Sequence, residues 1–461
     1  MALTGSINRK LSADSIVLIF IMEGNMQNEV DMTLNACFES VVGYEDVKNE
    51  VYEYCDILRN PEKYQKYGVY SPRGILLYGE PGVGKSLMSS CIIKACERTA
   101  FVIRKNKPDV SFVDYIKEIF DKAKAEAPSI VVLDDLDKFS NDDYDHRNAQ
   151  EYVTVQACID DIKNDEVFVI ATVNDIELLP DSLKRTGRFD RIIEIKRPEE
   201  EEATEIIRYH LSKKGELSGV DINEMAEIMS GTTCAVLEAV INEAGIIAIH
   251  SNRDEIQRDD IIKAYLRLAF KAPERRSRYS RSGEYEQKLH IAIHEAGHTL
   301  VSELLDPGSA KLVSICKHTG NVGGITSTHK SDSYMLSNEK YRHRLLVLMA
   351  GRAAIEIVTG NMDMGSGDDM MRARDIVDET LKTCAPLDFA TITTDIYRDP
   401  EVQREMRMKQ VAFELDRYYK EAKKLIIDNR KYLDLITEAL MEKETITQRE
   451  IKKIFERVSV A

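Results

Sequence analysis

Four things are missing from this 461-residue chain: an excess of positive charge, a Cys-x-x-Cys pair, an apolar run long enough to cross a bilayer, and an internal repeat. Lys plus Arg number 63 against 79 Asp plus Glu, and the formal charge of -16 gives no overall attraction to phosphate backbones or anionic lipid. General nucleic-acid binding is therefore disfavoured. Eight cysteines (Cys37, Cys55, Cys91, Cys96, Cys158, Cys234, Cys316 and Cys384) are scattered, and only Cys91 and Cys96 are close, at a spacing that does not suit a zinc knuckle. Reduced, buried thiols in a cytoplasm are expected. The apolar run at residues 15–22 (SIVLIFIM) is bracketed by Asp14 and Glu23 and falls far short of the about 20 residues a bilayer span needs. No small-x-small cleavage site follows it, so it reads as a buried strand or partner-facing patch rather than a signal peptide.

What is present is the composition of a folded globular protein, 43% hydrophobic and 31% charged, in a chain long enough for roughly three domains. Residues 1–36 form an N-terminal segment of unknown role. Over residues 37–197, strand-like runs at 74–78, 101–104, 129–133, 167–172 and 191–195 alternate with helical stretches, the pattern of a sheet covered by helices. Four glutamates, Glu199 to Glu202, then open a mostly helical segment, 198–272, where carboxylates suit the positive end of the helix dipole. The basic, Ser-rich stretch within 273–285 reads as a linker. Residues 286–461 are dominated by helical periodicity, and after Pro400 the positions Val411, Leu415, Tyr419, Leu425 and Ile426 form the apolar side of packed helices whose other face is solvated.

The run Gly79, Glu80, Pro81, Gly82, Val83, Gly84, Lys85, Ser86 fits G-x-x-x-x-G-K-[ST], follows a predicted strand and precedes a predicted helix. Glycines let backbone N–H groups close around phosphate oxygens, Lys85 neutralises the β and γ phosphates, and the Ser86 hydroxyl ligates magnesium. About fifty residues on, the strand 130–133 ends in Asp134, suited to the magnesium shell, and Asp135, suited to polarising the attacking water. Asn174 ends the next strand, where an amide can orient that water or touch the γ phosphate. Arg185, Gly187, Arg188, Phe189, Asp190 and Arg191 follow on a turn leading into a strand.

In this order and spacing the residues resemble the AAA+ ATPases, and the segment 198–272 resembles their helical lid. The resemblance implies ATP with Mg2+ as cofactors, a sensor role for Asn174, an adenine site near Val42 and Gly43, and Arg188 and Arg191 as arginine fingers acting in trans within a homo-hexamer. Two departures stand out. The second acid of the magnesium strand is usually Glu, whereas Asp135 is one methylene shorter. The substrate-gripping triplet of aromatic, apolar and glycine residues is replaced, in the shortened stretch 107–115, by Phe112, Val113 and Asp114. Both point to weakened hydrolysis and pulling.

A second constellation is His294, Glu295, Ala296, Gly297, His298, in a proline-free helical stretch. Residues i and i+4 project about 40° apart on a helix, so both imidazoles can share one zinc ion while Glu295 stands beside the open coordination position as general base. A third ligand is required, and His318, His329, His343, Asp363, Asp368 and Asp369 are all available by spacing. HEAGH, the later Ala350 to Ala354 (AGRAA) and the GSGDD segment ending in Asp368 and Asp369 together resemble the FtsH-type AAA+ zinc metalloproteases over more than nine-tenths of the chain. The resemblance assigns the third zinc ligand to Asp369, with Asp368 as runner-up, and places the glycine-bearing patch at 321–327 beside the active site, where a free strand edge could bind extended substrate.

The expected architecture is thus an α/β AAA+ core with a helical lid, followed by a mainly α-helical zinc metallopeptidase domain. The expected activity is ATP-dependent zinc endopeptidase action on protein substrates, in a relative lacking transmembrane segments. Two other classes stay open: a chaperone or assembly factor whose peptidase fold is an oligomerisation platform, and a zinc peptidase in which nucleotide only stabilises the ring.

Overall fold

The computed structural model describes residues 36–105, 112–140, 149–214, 216–272, 284–316, 324–328, 337–361, 367–383 and 400–459. The apolar run at 15–22, residues 107–111 of the altered gripping stretch, residues 273–283 of the expected linker and the candidates His318, His329 and Asp363 lie outside the described residues, while the last two linker positions, 284 and 285, already belong to a helix. The chain divides into two compact units, one drawn from Met1–Lys214 and Thr232–Ala239, the other from Gly215–Gly231 and Val240–Ala461.

In the first unit, β1 (Gly74–Tyr78), β2 (Thr99–Ile103), β3 (Ser129–Leu133), β4 (Val167–Val173) and β5 (Arg191–Glu194) form one sheet in the order β2-β3-β4-β1-β5, and every pairing is parallel. Every residue of β3 and β4 is buried, as their unbroken apolar runs require of strands covered on both faces. The helices α1 (Glu45–Arg59), α2 (Lys85–Cys96), α3 (Phe112–Ala125), α4 (Gln150–Asp161) and α5 (Glu200–Ser212) supply that cover. β1 lies between β4 and β5 although β2 follows it in sequence, so the crevice at the carboxyl ends of β1, β3 and β4 is where such a sheet binds ligands.

Two local differences from the sequence expectation matter. β2 starts two residues earlier than expected and ends at Ile103, which leaves Arg104 beyond the ladder. Phe112 is buried in α3 and packs edge-on against Phe139, with ring centroids 5.1 Å apart, so it belongs to the core. The glutamates at the start of α5 do more than face a helix dipole: Glu199 and Glu202 form a reciprocal capping box, and Glu202 Oε1 also accepts from the Tyr44 amide at 3.0 Å.

The second unit contains α6 (Ile222–Ile228), most of α7 (Cys234–His250), and α8 (Arg258–Ala269). After them come α9 (Glu284–Leu305), α10 (Asn338–Thr359), α11 (Gly367–Thr383), α12 (Pro400–Asp428), α13 (Arg430–Lys443) and α14 (Gln448–Ser459). A small parallel pair joins β6 (Glu216–Ser218) to β7 (Glu255–Gln257). An antiparallel sheet in the order β10-β8-β9 is formed by β8 (Ala310–Ser314), β9 (Ile325–Thr328) and β10 (Thr445–Thr447). Part of the expected lid groups here because polar ties hold it: Arg258 bonds both Glu224 and Thr447, and Lys311 pairs with Glu227. Val411 and Ile426 of α12 are buried, and Leu415, Tyr419 and Leu425 pack against the same core.

α9 and α10 cross unusually closely. A Cβ on Gly297 would sit 2.6 Å from the Ala350 carbonyl oxygen and 2.7 Å from Ala354 Cβ. Small residues at 297, 350, 351 and 354 are therefore the condition for the crossing, and the crossing carries the metal-binding face.

Candidate nucleotide and metal sites

The phosphate loop occupies the carboxyl end of β1. Gly79 has φ 149°, and a Cβ there would collide with the Ile195 carbonyl oxygen at 2.1 Å. Gly84, at φ 103°, caps α2 in a conformation that glycine alone adopts freely. Lys85 opens α2, and its Nζ donates to Gly79 O at 2.7 Å, Glu80 O at 2.9 Å and Asn174 Oδ1 at 2.9 Å. Gly82, Val83, Gly84, Lys85 and Ser86 line a cavity of about 920 Å³. Val42 and Tyr44 also line it, while Gly43 turns in the left-handed region and packs on Glu202.

Asp135 and Asn174 face the same cavity. Asn174 Nδ2 donates to Asp135 Oδ1 at 3.2 Å, and Lys138 Nζ to Asp135 Oδ2 at 2.8 Å. Burial works to raise the Asp135 carboxyl, but Lys138, Asn174 and the charge of Lys85 outweigh it and hold it below the usual carboxylate range. The backbone of Asp135 is left-handed at φ 54°, a conformation in which Asp is among the better tolerated residues. Asp134 is buried; its Oδ1 accepts from Thr172 Oγ1 at 2.7 Å and its Oδ2 is bound by the Arg104 guanidinium. Arg188 is held by Asp160 at 2.8 Å and by the Ser182 carbonyl, and Arg191 lies 3.1 Å from Glu50.

In the second unit His294, Glu295 and His298 share α9. The two histidine Nε2 atoms lie 2.9 Å apart, and each lies 3.2 Å from Asp369 Oδ2 in the first turn of α11. A tetrahedral zinc with ligand bonds of about 2.0–2.1 Å has ligand atoms about 3.3–3.4 Å apart, so the three donors fit the ion after a small outward relaxation. His298 Nδ1 donates to the Val347 carbonyl at 2.7 Å, which leaves its Nε2 lone pair for a cation. Burial works to lower the His298 pKa, yet the hydrogen bond and charge of Asp369 leave it raised. Burial likewise opposes ionisation of Asp369, and the two histidines override it and hold the carboxyl far below its usual value. Asp368 is exposed and His343 lies 3.9 Å from Glu339; neither joins the cluster.

Glu295 is buried, with Oε2 accepting from Thr326 Oγ1 at 2.7 Å. Thr326 lies on β9, which pairs only with β8 among the described residues, so residues 324–327 of the glycine-bearing patch sit at the edge of the sheet beside the acid, while 321–323 lie outside the described residues.

Several residues escaped the sequence reading. A Cβ on Gly351 would sit 2.5 Å from His294 Cε1 and 2.6 Å from His298 Nε2, and one on Gly324 would sit 2.6 Å from Glu295 Cγ. These glycines make room for the ligands and the acid. AGRAA contained the first in plain sight, but only the helix crossing shows what it does. Asp137 lines the nucleotide cavity, accepts from the Asn174 backbone N–H at 3.1 Å and has its other oxygen buried without a partner; its acidic character was readable beside Asp134 and Asp135. Arg104 and Thr172 carried no local signal.

Comparison with known proteins matches residues 75–197 to the ATPase family associated with various cellular activities (AAA) and residues 282–385 to peptidase family M41. The chain is 28% identical to the ATP-dependent zinc metalloprotease FtsH 2 of Thermoanaerobacter sp. (strain X514), covering 92% of this chain and 83% of the relative. It is 30% identical to ATP-dependent zinc metalloprotease FtsH of Caldicellulosiruptor bescii, over 92% of this chain and 73% of that one. With FtsH 1 of Thermomicrobium roseum the identity is 32%, over 91% and 68%. A parallel-sheet nucleotide unit and a helical unit presenting two histidines and an aspartate, in a chain matched over nine-tenths of its own length to such relatives, mean that this chain belongs to the FtsH-type family of ATP-dependent zinc metalloproteases.

Proposed function

We propose that the chain couples ATP hydrolysis to cleavage of protein substrates at a zinc centre held by His294, His298 and Asp369. The convergence of these three donors within 3.2 Å of one another, beside the buried Glu295, carries the reading. Zinc, when bound, polarises the scissile carbonyl and acidifies a water molecule. Glu295 accepts the proton of that water and passes it to the leaving amine, with Thr326 holding one carboxylate oxygen so that the other is free for the transfer. Extended substrate adds to the open edge of β9 by main-chain hydrogen bonds, which tolerates many sequences.

In the nucleotide unit, Lys85 exchanges its carbonyl partners for the β and γ phosphates, and Ser86 with Asp134 is suited to hold magnesium. Asp135 orients the attacking water and Asn174 senses the γ phosphate. Arg188 and Arg191 act in trans in a homo-hexamer, where their charge stabilises the transferring phosphoryl group. A cytoplasmic place of action accords with the free thiols of the described cysteines. Among the described residues no helix is long and apolar enough to cross a membrane.

A second reading has a specific observation in its favour. Asp135 is short and tied to Lys138, and Phe112 is withdrawn into the core, so nucleotide could stabilise a ring without driving translocation. Degradation of folded and unfolded substrates with ATP, with a non-hydrolysable analogue and in Glu295→Gln separates the two. Our reading expects folded substrate to require both hydrolysis and Glu295. Equal cutting of unfolded casein with the analogue, together with no ATP-dependent loss of folded substrate, favours the ring-stabilising role.

A further inference from the structure

The acid assigned to the magnesium shell is already occupied by a cation from its own chain. Arg104, the first residue past β2, places Nε 2.8 Å from Asp134 Oδ2 and Nη2 on the same oxygen, while the Thr172 hydroxyl donates to Oδ1 at 2.7 Å. Both lone-pair positions of Oδ2 are thereby taken. The Asp134 side chain is 8% exposed and that of Arg104 58%, so the acid is fixed and the guanidinium can swing into solvent. A charge-assisted bond of this kind, made where the carboxylate is poorly solvated, is stronger than an ordinary surface pair.

The geometry points to Arg104 as a positioning residue that competes with magnesium for Asp134, an inference that rests on the nucleotide reading above. Without the divalent cation, Arg104 neutralises Asp134, so the triphosphate does not meet an unpaired carboxylate. Entry of the metal then requires the ion pair to open. The chain therefore binds nucleotide in a metal-poor state more readily, and needs more magnesium for the metal-loaded state, than it would without Arg104.

The test is equilibrium binding of a fluorescent N-methylanthraniloyl ATP to the full chain, with magnesium varied from EDTA to millimolar. In Arg104→Gln the half-saturating magnesium concentration falls about three- to tenfold and nucleotide affinity in EDTA weakens; Arg104→Lys, which keeps the charge but not the planar fork, lies between. Circular dichroism verifies that these solvent-facing substitutions leave the fold intact. A magnesium curve for Arg104→Gln that superimposes on the native one, or moves to higher concentration, overturns the inference alone. Absence of nucleotide binding by the native chain at every magnesium concentration overturns the reading beneath it as well.

Discussion

At the metal site, His294, Glu295 and His298 ride on one helix, and what surrounds them is small: Gly297 and Gly351 at the helix crossing and Gly324 against the acid. At the nucleotide site the functional groups stand on strand ends and at the first turn of α2, and they are held by other polar or charged groups. Lys85 bonds Asn174, Asn174 bonds Asp135, Asp135 bonds Lys138, and Asp134 bonds Arg104. The first arrangement is specified by the volume its neighbours leave free, since close-packed interiors cannot absorb an added methyl without moving something. The second is specified by charge, and its partners must be exchangeable because phosphate and magnesium replace them. An added methyl at the helix crossing should therefore unload the metal, which isosteric changes of charge at Glu295 leave in place, whereas isosteric changes of charge at the strand ends should disable the nucleotide site.

The largest effect expected from an isosteric change within the metal site is that of Glu295→Gln, which removes a proton acceptor without altering shape. Peptide cleavage falls about 10²–10⁴-fold while bound zinc, measured by atomic emission, stays at one per chain and ATP turnover is unchanged. Gly351→Ala is the volumetric counterpart. Its methyl enters the space of both imidazoles, so zinc affinity and cleavage fall together by about 100-fold with ATP turnover preserved. Full zinc occupancy in Gly351→Ala breaks the comparison, because the ligands would then have room that the crossing denies them.

In the nucleotide unit Asp135→Asn keeps the volume and removes the charge. ATP turnover is expected to fall about 100-fold, with binding of the fluorescent nucleotide changed less than threefold. Unimpaired turnover would transfer the work to another group on the cavity, and Asp137, with one buried oxygen lacking a partner, is the neighbour to test next.

How much of this was readable in advance follows from how local each feature is. The phosphate loop, Asp134, Asp135 and the His294 to His298 motif are contiguous, and their spacing alone places them on a loop, a strand end and a helix face. Asp369 lies 75 residues from His294 in sequence, and spacing could not choose it among six candidates; the resemblance did. Gly351, Gly324, Thr326 and Arg104 act through contacts between segments distant along the chain. Nothing in the one-dimensional pattern distinguishes a glycine that admits an imidazole from one that merely turns. The strand order was equally hidden, because alternating strands and helices announce a parallel sheet but not that β1 lies between β4 and β5. Phe112 shows the converse: the resemblance set it in the place of the gripping triplet as a departure, and packing put the ring in the core.

The smallest expected effect concerns a charge pair that belongs to neither site, in the metal-bearing unit, and asks whether charge there supports the fold rather than the chemistry. Asp260 is buried at the start of α8, where both its oxygens accept from the Arg253 guanidinium at 2.7 Å and one also accepts from the Gln257 amide at 2.9 Å. Burial works to raise its pKa, but these donors outweigh it and leave the carboxyl below its ordinary value. A carboxyl depressed in the folded state contributes stability at every pH above its unfolded pKa of about 3.9, and the contribution disappears as pH falls through the lower folded value. The unfolding free energy should thus decline below about pH 4 by at most about 1.4 kcal/mol per pH unit from this one proton. Asp260→Asn lowers the thermal midpoint at pH 7 and flattens the acid slope, measured by differential scanning calorimetry between pH 3 and 7. Zinc content and ATP turnover at pH 7 should stay at native levels; a loss of either would mean that this pair is wired to a site, and that charge governs more of the metal-bearing unit than the glycine-lined crossing suggests.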